Sequence, residues 1–170
     1  MNDLVAPDLE HRLLAEDHTS LRLWLRLLTT TIRLEDTVRQ RLREGFGITL
    51  PRFDLMAQLD RESEGLTMGE LSRRMMVTGG NITTIVDQLE KEHLVQRVPL
   101  PDDRRSWRVC MTGPGRAAFV TMAHAHEQWV KDLMSPLTED QQLKLHALLG
   151  LLKHGLLKDS PIHEAQHDSS

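Results

Sequence analysis

Asn81, Thr84 and Gln88 recur at i, i+3 and i+7 in the segment 81–92, opposite an aliphatic stripe of Ile82, Ile85, Val86 and Leu89. On a helix that spacing gives one buried face and one polar face. The polar face carries groups that can read base edges in a duplex. Asparagine and glutamine pair with adenine, and a threonine methyl meets a thymine methyl. Thr83 sits at the exposed first turn, Thr78 stands in the turn before it, and the free amides of Gly80 and Asn81 suit a phosphate. Short polar residues at a helix start also act as caps, and Asn81 alone fits that role. The whole face together points to nucleic acid. Arg73, Arg74 and Arg97 are candidate phosphate partners.

Other chemistry finds little support. No nucleophile motif surrounds any serine or histidine, and Gly79-Gly80 lacks the strand and lysine of a phosphate-binding loop. His124 and His126 lie at i and i+2, so on a helix their rings point about 200° apart, which is poor for chelation. An enzyme using His124 or His93 is a remote alternative. The nine histidines are scattered, and a zinc site shared between subunits is the less economical reading of them. Cys110 falls in a candidate strand with no lysine or helix start beside it, which describes an inert thiol. No cofactor and no metal are expected.

The elements that position the polar face follow from periodicity. Leu21, Leu25, Leu28, Ile32, Val38 and Leu42 give a long helix from Thr19 to Gly45, stopped by Gly45 and Gly47. Pro51 opens a second helix with Leu55, Met56 and Leu59 inward and Phe53 beside them, closed by Glu64-Gly65. Thr67-Met68-Gly69-Glu70 fits a capping box and starts a short helix ending near Met76. Val77-Thr78-Gly79-Gly80 reads as a turn before the helix Asn81 to Glu92, completing a helix-turn-helix. Leu94–Val98 and Ser106–Met111 then read as two strands around a polar tip. A helix-turn-helix followed by a hairpin is a winged helix. A helix from Arg116 to Met134 follows, and a second capping box, Thr138 to Gln141, starts a leucine-rich helix to about Leu157.

The fold class expected is therefore mainly α with a small β-hairpin wing, a winged helix-turn-helix core flanked by terminal helices. The parts are a tail at 1–18, a dimerisation helix at 19–47, a DNA-binding core at 48–112, dimerisation helices at 113–158 and a tail at 159–170. Long apolar stripes without obvious cover in the same chain point to a homodimer.

Composition agrees. The chain has 170 residues, 39% hydrophobic and 27% charged, enough for a core without staples, and one cysteine excludes a disulfide framework. No apolar run approaches a membrane span, and no signal peptide is evident, so a cytoplasmic protein without a membrane partner is expected. The net charge of −4 argues against nucleic acid until it is divided. Residues 1–20 carry five acids and one arginine, and residues 136–170 five acids and three lysines. The middle holds 15 acids and 17 bases, with Arg97, Arg104, Arg105 and Arg108 clustered around the hairpin.

The order of these elements resembles the MarR family of bacterial transcription regulators, from about Leu21 to Met134. The resemblance is carried by Gly65-Leu66-Thr67-Met68-Gly69-Glu70-Leu71-Ser72, by Val77-Thr78-Gly79-Gly80-Asn81-Ile82-Thr83, and by Val86-Asp87-Gln88-Leu89-Glu90-Lys91 with Leu94-Val95-Gln96-Arg97. Asp103-Arg104-Arg105 and Val109-x-Met111-Thr112-x-x-Gly115 complete it. Two departures stand out: His93 where a glycine usually ends the recognition helix, and Gly79-Gly80 in place of the common serine-proline turn.

The resemblance implies a triangular homodimer that lays two recognition helices into the major groove of a pseudo-palindromic double-stranded operator, with each wing at a minor groove. Arg105 would be the minor-groove residue, entering where narrow A·T tracts deepen the negative potential, and Asp103 would brace the wing. It also implies an effector pocket between the dimer helices and the core. Arg22, Trp24, Arg26 and Phe53 would form an aromatic wall with an anion anchor, suited to an aromatic acid or its coenzyme A thioester. Arg39, Arg41 and Arg43 would alternatively meet DNA or coenzyme phosphates. The function implied is a repressor released by such a ligand; the alternative is a winged-helix module that binds protein through its acidic tails without specific DNA binding.

Overall fold

The computed structural model describes residues 18–76, 78–100 and 107–158. Its elements run α1 (Thr19–Phe46), α2 (Leu50–Asp60), β1 (Leu66–Thr67), α3 (Met68–Met75), α4 (Gly79–Lys91), β2 (Val95–Pro99), β3 (Trp107–Met111), α5 (Gly113–Met134) and α6 (Glu139–Lys158). They form two compact units, residues 1–128 and 129–170.

Helix α1 stops where expected, because Gly47 takes the left-handed conformation (φ 64°) and its N–H closes back on Arg43. The capping box at α3 is complete: the Glu70 N–H donates to Thr67 Oγ1 at 3.3 Å and the Thr67 N–H to Glu70 Oε2 at 2.8 Å. The Glu70 carboxylate accepts from both the Thr67 N–H and the Thr67 hydroxyl, which holds it below its ordinary pKa.

Two expectations need correction. The recognition helix begins at Gly79, so Gly79-Gly80 is its first turn and Thr78 its N-cap. The left-handed residue lies earlier, at Met76 (φ 53°), a conformation glycine adopts more readily. The sheet has three strands in the order β1-β3-β2, all antiparallel, where a two-stranded hairpin was expected. Leu66 pairs with Val109 on one side of β3 while Arg97 pairs with Val109 on the other. The extra strand is two residues long and runs straight into the capping box, too short to show a period of its own.

The core sits under α4. Leu42 from the end of α1, Ile48 from the link that follows it, Leu55, Met56 and Leu59 from α2, Leu71 from α3, and Val95 and Val109 from the sheet are buried with Ile82, Val86 and Leu89. The helix end keeps its departure: His93 stands at φ 59°, and its carbonyl accepts from the Thr112 hydroxyl at 2.7 Å.

In the second unit, the Thr138 N–H donates to Gln141 Oε1 at 2.9 Å and the Gln141 N–H to Thr138 Oγ1 at 3.3 Å, the capping box read from sequence. Every leucine of α6 is exposed in the single chain. No helix among the described residues is long and apolar enough to cross a membrane.

Candidate nucleic-acid interface

Burial divides α4 as its sequence requires. Ile82, Val86 and Leu89 are fully buried, Ile85 is half-buried, and Asn81, Thr83, Thr84, Asp87, Gln88 and Lys91 are exposed. The N-terminal turn is open. Thr78 makes no side-chain cap bond, and nothing lies within 4 Å of where a Cβ would stand on Gly79 or Gly80. The amides of the first turn therefore face outward with no side-chain acceptor from the cap, which suits a phosphate oxygen. The Thr83 and Thr84 hydroxyls donate back to the carbonyls of Gly79 and Gly80 at 3.0 and 3.2 Å. That fixes their rotamers and commits their protons to the helix backbone.

The arginines separate. Arg73 is exposed in the last turn of α3, while Arg74 is paired with Glu62 at 2.8 Å. Arg97 is not a free phosphate partner as expected: its guanidinium, on β2, binds Asp87 and Glu90 of α4, and its own N–H donates to Glu90 Oε1 at 3.0 Å. Burial works against the Arg97 charge, but the bond to Asp87 and the charges of both acids outweigh it and raise its pKa. Arg39, similarly, is occupied by Glu35 and Asp36. Asp103 and Arg105 lie outside the described residues.

A second arginine grips the C-terminal end of α4, beyond the first. Arg52 of α2 is buried to 8% exposure and binds Glu92, the C-cap of α4, leaving its Nε buried without a hydrogen bond. Sequence reading missed it, although Arg52, Leu55, Met56 and Leu59 stand at i, i+3, i+4 and i+7, so the charge occupies the first position of an apolar stripe.

The helices also line an open cavity of about 600 Å³ within the first unit. Phe53 and Asp54 of α2, Glu35 and Arg39 of α1, Met75 of α3, and Phe119 and His126 of α5 line it. Phe53 has its ring 5.5 Å from Phe119 and 5.0 Å from His126. Of the expected pocket residues only Phe53 is here. Arg22 and Arg26 flank a separate hollow of about 180 Å³ on α1, and Trp24 is 57% exposed.

Burial pushes the Asp54 carboxyl up, with help from Glu35, and pushes the His126 imidazole down. The sign of the histidine effect follows. Below its ordinary pKa of 6.5 the unfolded chain takes up a proton that folded His126 resists, so stability falls as pH drops through and below that value. Urea denaturation at pH 7 and pH 5.5 is expected to show a larger loss for the wild type than for His126→Phe. Asp54 acts in the opposite direction, but equally in both proteins. Superimposable pH profiles would refute the assignment. Cys110 is half-buried, its pKa raised mainly by burial, so it is not an activated thiol.

Residues 48–107 match the model of the MarR family. An uncharacterised HTH-type transcriptional regulator of Bacillus subtilis, YcgE, is 30% identical over 123 residues, 72% of this chain and 70% of the relative. The chain belongs to the MarR family. PecS of Dickeya dadantii, an HTH-type transcriptional regulator, is 25% identical over 128 residues, 74% of this chain and 77% of that protein. The fold agrees with that of the MarR-family regulator Sco3205 of Streptomyces coelicolor, solved in complex with DNA, at a TM-score of 0.73 and 24% identity over 83% of this chain and 93% of that one. The MarR family comprises transcription regulators, not enzymes. The matched segment contains the whole of α2, β1, α3, α4 and β2, the elements that bury one face of α4 and expose the other.

Proposed function

We propose that the protein is a homodimeric, sequence-specific DNA-binding repressor, released by a small anionic aromatic ligand. The observation that carries the DNA reading is the exposed polar face of α4 set on a fully buried aliphatic stripe. In this reading Asn81, Thr84 and Gln88 meet base edges, Thr78, Gly80 and Thr83 line the phosphate-facing turn, and Arg73 and Arg74 flank it. Arg105 enters the minor groove and Asp103 braces the wing. Two recognition helices, one from each copy, would address half-sites about 34–36 Å apart.

The cavity beside Phe53 supports the ligand reading. Phe53, Phe119 and His126 supply flat faces, and Arg61 and Arg74, the latter paired with Glu62, also line it. A carboxylate or thioester phosphate would meet those cations, and the volume suits one aromatic ring system. Occupancy would shift the spacing of the two reading heads.

Fluorescence anisotropy on duplexes from the DNA flanking the gene tests the first part. Tight binding to one duplex, weakening steeply between 50 and 200 mM salt, is expected. Arg105→Ala should reduce that affinity while leaving the oligomeric state unchanged. Absent or salt-insensitive binding would favour a protein-interaction module instead. Calorimetry with phenolic acids and their coenzyme A thioesters tests the second part; no heat from any of them would refute it.

A further inference from the structure

Asp87 is out of place on a surface that meets DNA. Thr84, Asp87, Gln88 and Lys91 stand at i, i+3, i+4 and i+7 and form one exposed strip of α4, with the Asp87 side chain 58% accessible. A carboxylate there is repelled by phosphates unless it is neutralised, and it serves no purpose there unless it is read. The structure supplies the neutralisation. Arg97 reaches across from β2, placing Nη2 on Asp87 Oδ1 and Nη1 on Glu90 Oε2. The same residue's N–H also donates to Glu90, so the fork is anchored at both ends. The one bond it makes to Asp87 is charge-assisted and restrains that side chain. It occupies Oδ1.

We propose that Asp87, held by Arg97, is a specificity-determining residue of the reading face, its Oδ2 accepting a hydrogen bond from a cytosine N4 amino group in the major groove. The proposal rests on the DNA-binding reading above. Cytosine is the base whose own major-groove edge offers a donor and no acceptor. Guanine presents two acceptors, thymine presents O4, and adenine sets N7 beside its amino group. A fixed acceptor-only group therefore selects cytosine and rejects guanine and thymine by repulsion between lone pairs. Arg97 is the positioning residue: it touches no base, and it cancels the charge that would otherwise oppose docking.

Selection from a random duplex pool, followed by sequencing, tests this on wild type, Asp87→Ala, Arg97→Gln and the Arg97→Gln/Asp87→Asn pair. The wild type is expected to enrich a site with a cytosine preference of about fivefold or more at one position of each half-site. Asp87→Ala should lose that preference and keep the others. Arg97→Gln should weaken binding ~tenfold by removing the single positive charge set against Asp87 and Glu90, and Asp87→Asn on that background should recover most of the loss by removing one of the two negative charges. A purely structural tie between β2 and α4 would lower affinity for every duplex alike and leave the base preferences unmoved. An enriched wild-type site shared base for base by Asp87→Ala overturns the proposal alone. A wild type that enriches nothing overturns it together with the DNA-binding reading. Asp87 is exposed, so its variant folds even if Arg97→Gln does not.

Discussion

Gly115→Ala is expected to cost the winged-helix unit about 3 kcal/mol of stability, at the upper end of what overpacking does. A Cβ on Gly115 would stand 1.8 Å from the Leu94 carbonyl oxygen and 2.7 Å from its carbon. Both are backbone atoms, so no side chain can rotate away. Nor can the carbonyl retreat cheaply. It accepts from the Thr112 N–H at 3.1 Å, and the Thr112 hydroxyl, shared with the closer His93 carbonyl, also reaches it at 3.1 Å. The Gly115 N–H in turn donates to Thr112 Oγ1 at 3.0 Å. The start of α5 is thus laid against the chain between α4 and β2, and a methyl group would pry them apart. Gly113 is the control, since nothing lies within 4 Å of its Cβ position. Gly113→Ala should be neutral or slightly stabilising. Urea denaturation followed by circular dichroism measures both. A loss below about 1 kcal/mol at Gly115 would show that α5 can slide to accommodate the change.

That glycine marks where sequence reading reaches and where it ends. Its place in the pattern Thr112-x-x-Gly115 is visible in the sequence; the backbone atom it makes room for is 21 residues away and is not. The same division holds elsewhere. Both capping boxes were legible, because their partners lie three residues apart. The exposed and buried faces of α4 were legible, because one helix carries the whole pattern. The start of α4 was misplaced, because glycine pairs usually mark turns, whereas here the left-handed residue is Met76. What was missed depends on contacts across the chain. The Arg52–Glu92 pair spans 40 residues, and Arg97 reaches Asp87 and Glu90 over ten and seven. Arg97 looks in sequence like any solvated cation, and Arg52 is marked only by its place on an apolar stripe. The cavity shows the limit most clearly. Trp24 and the arginines beside it had the right chemistry for an anionic aromatic ligand, yet the rings brought together are Phe53, Phe119 and His126, drawn from α2 and α5.

The second large effect concerns assembly. Leu149→Glu/Leu152→Glu is expected to give a monomer and to weaken operator binding by about 100-fold or more. Helix α6 carries Leu145, Leu149, Leu152 and Leu156 on one side, at i, i+4, i+7 and i+11, all between 39% and 64% exposed in the single chain. A stripe of that size left in water would be an aggregation hazard, and a second copy of the same stripe can cover it by two-fold symmetry. Two carboxylates in its centre would be buried without partners in a dimer and hydrated in a monomer, so the equilibrium moves to the monomer. DNA affinity falls with it, because one reading head engages one half-site and loses the high effective concentration that a tethered second head provides. Sedimentation equilibrium gives the oligomeric state and anisotropy gives the affinity, both at the same protein concentration. Retained helicity by circular dichroism shows that the fold survives. A variant that stays dimeric would move the interface away from α6. A monomer that still binds the full operator as tightly as the wild type would break the link between pairing and recognition, and with it the reason for a pseudo-palindromic site.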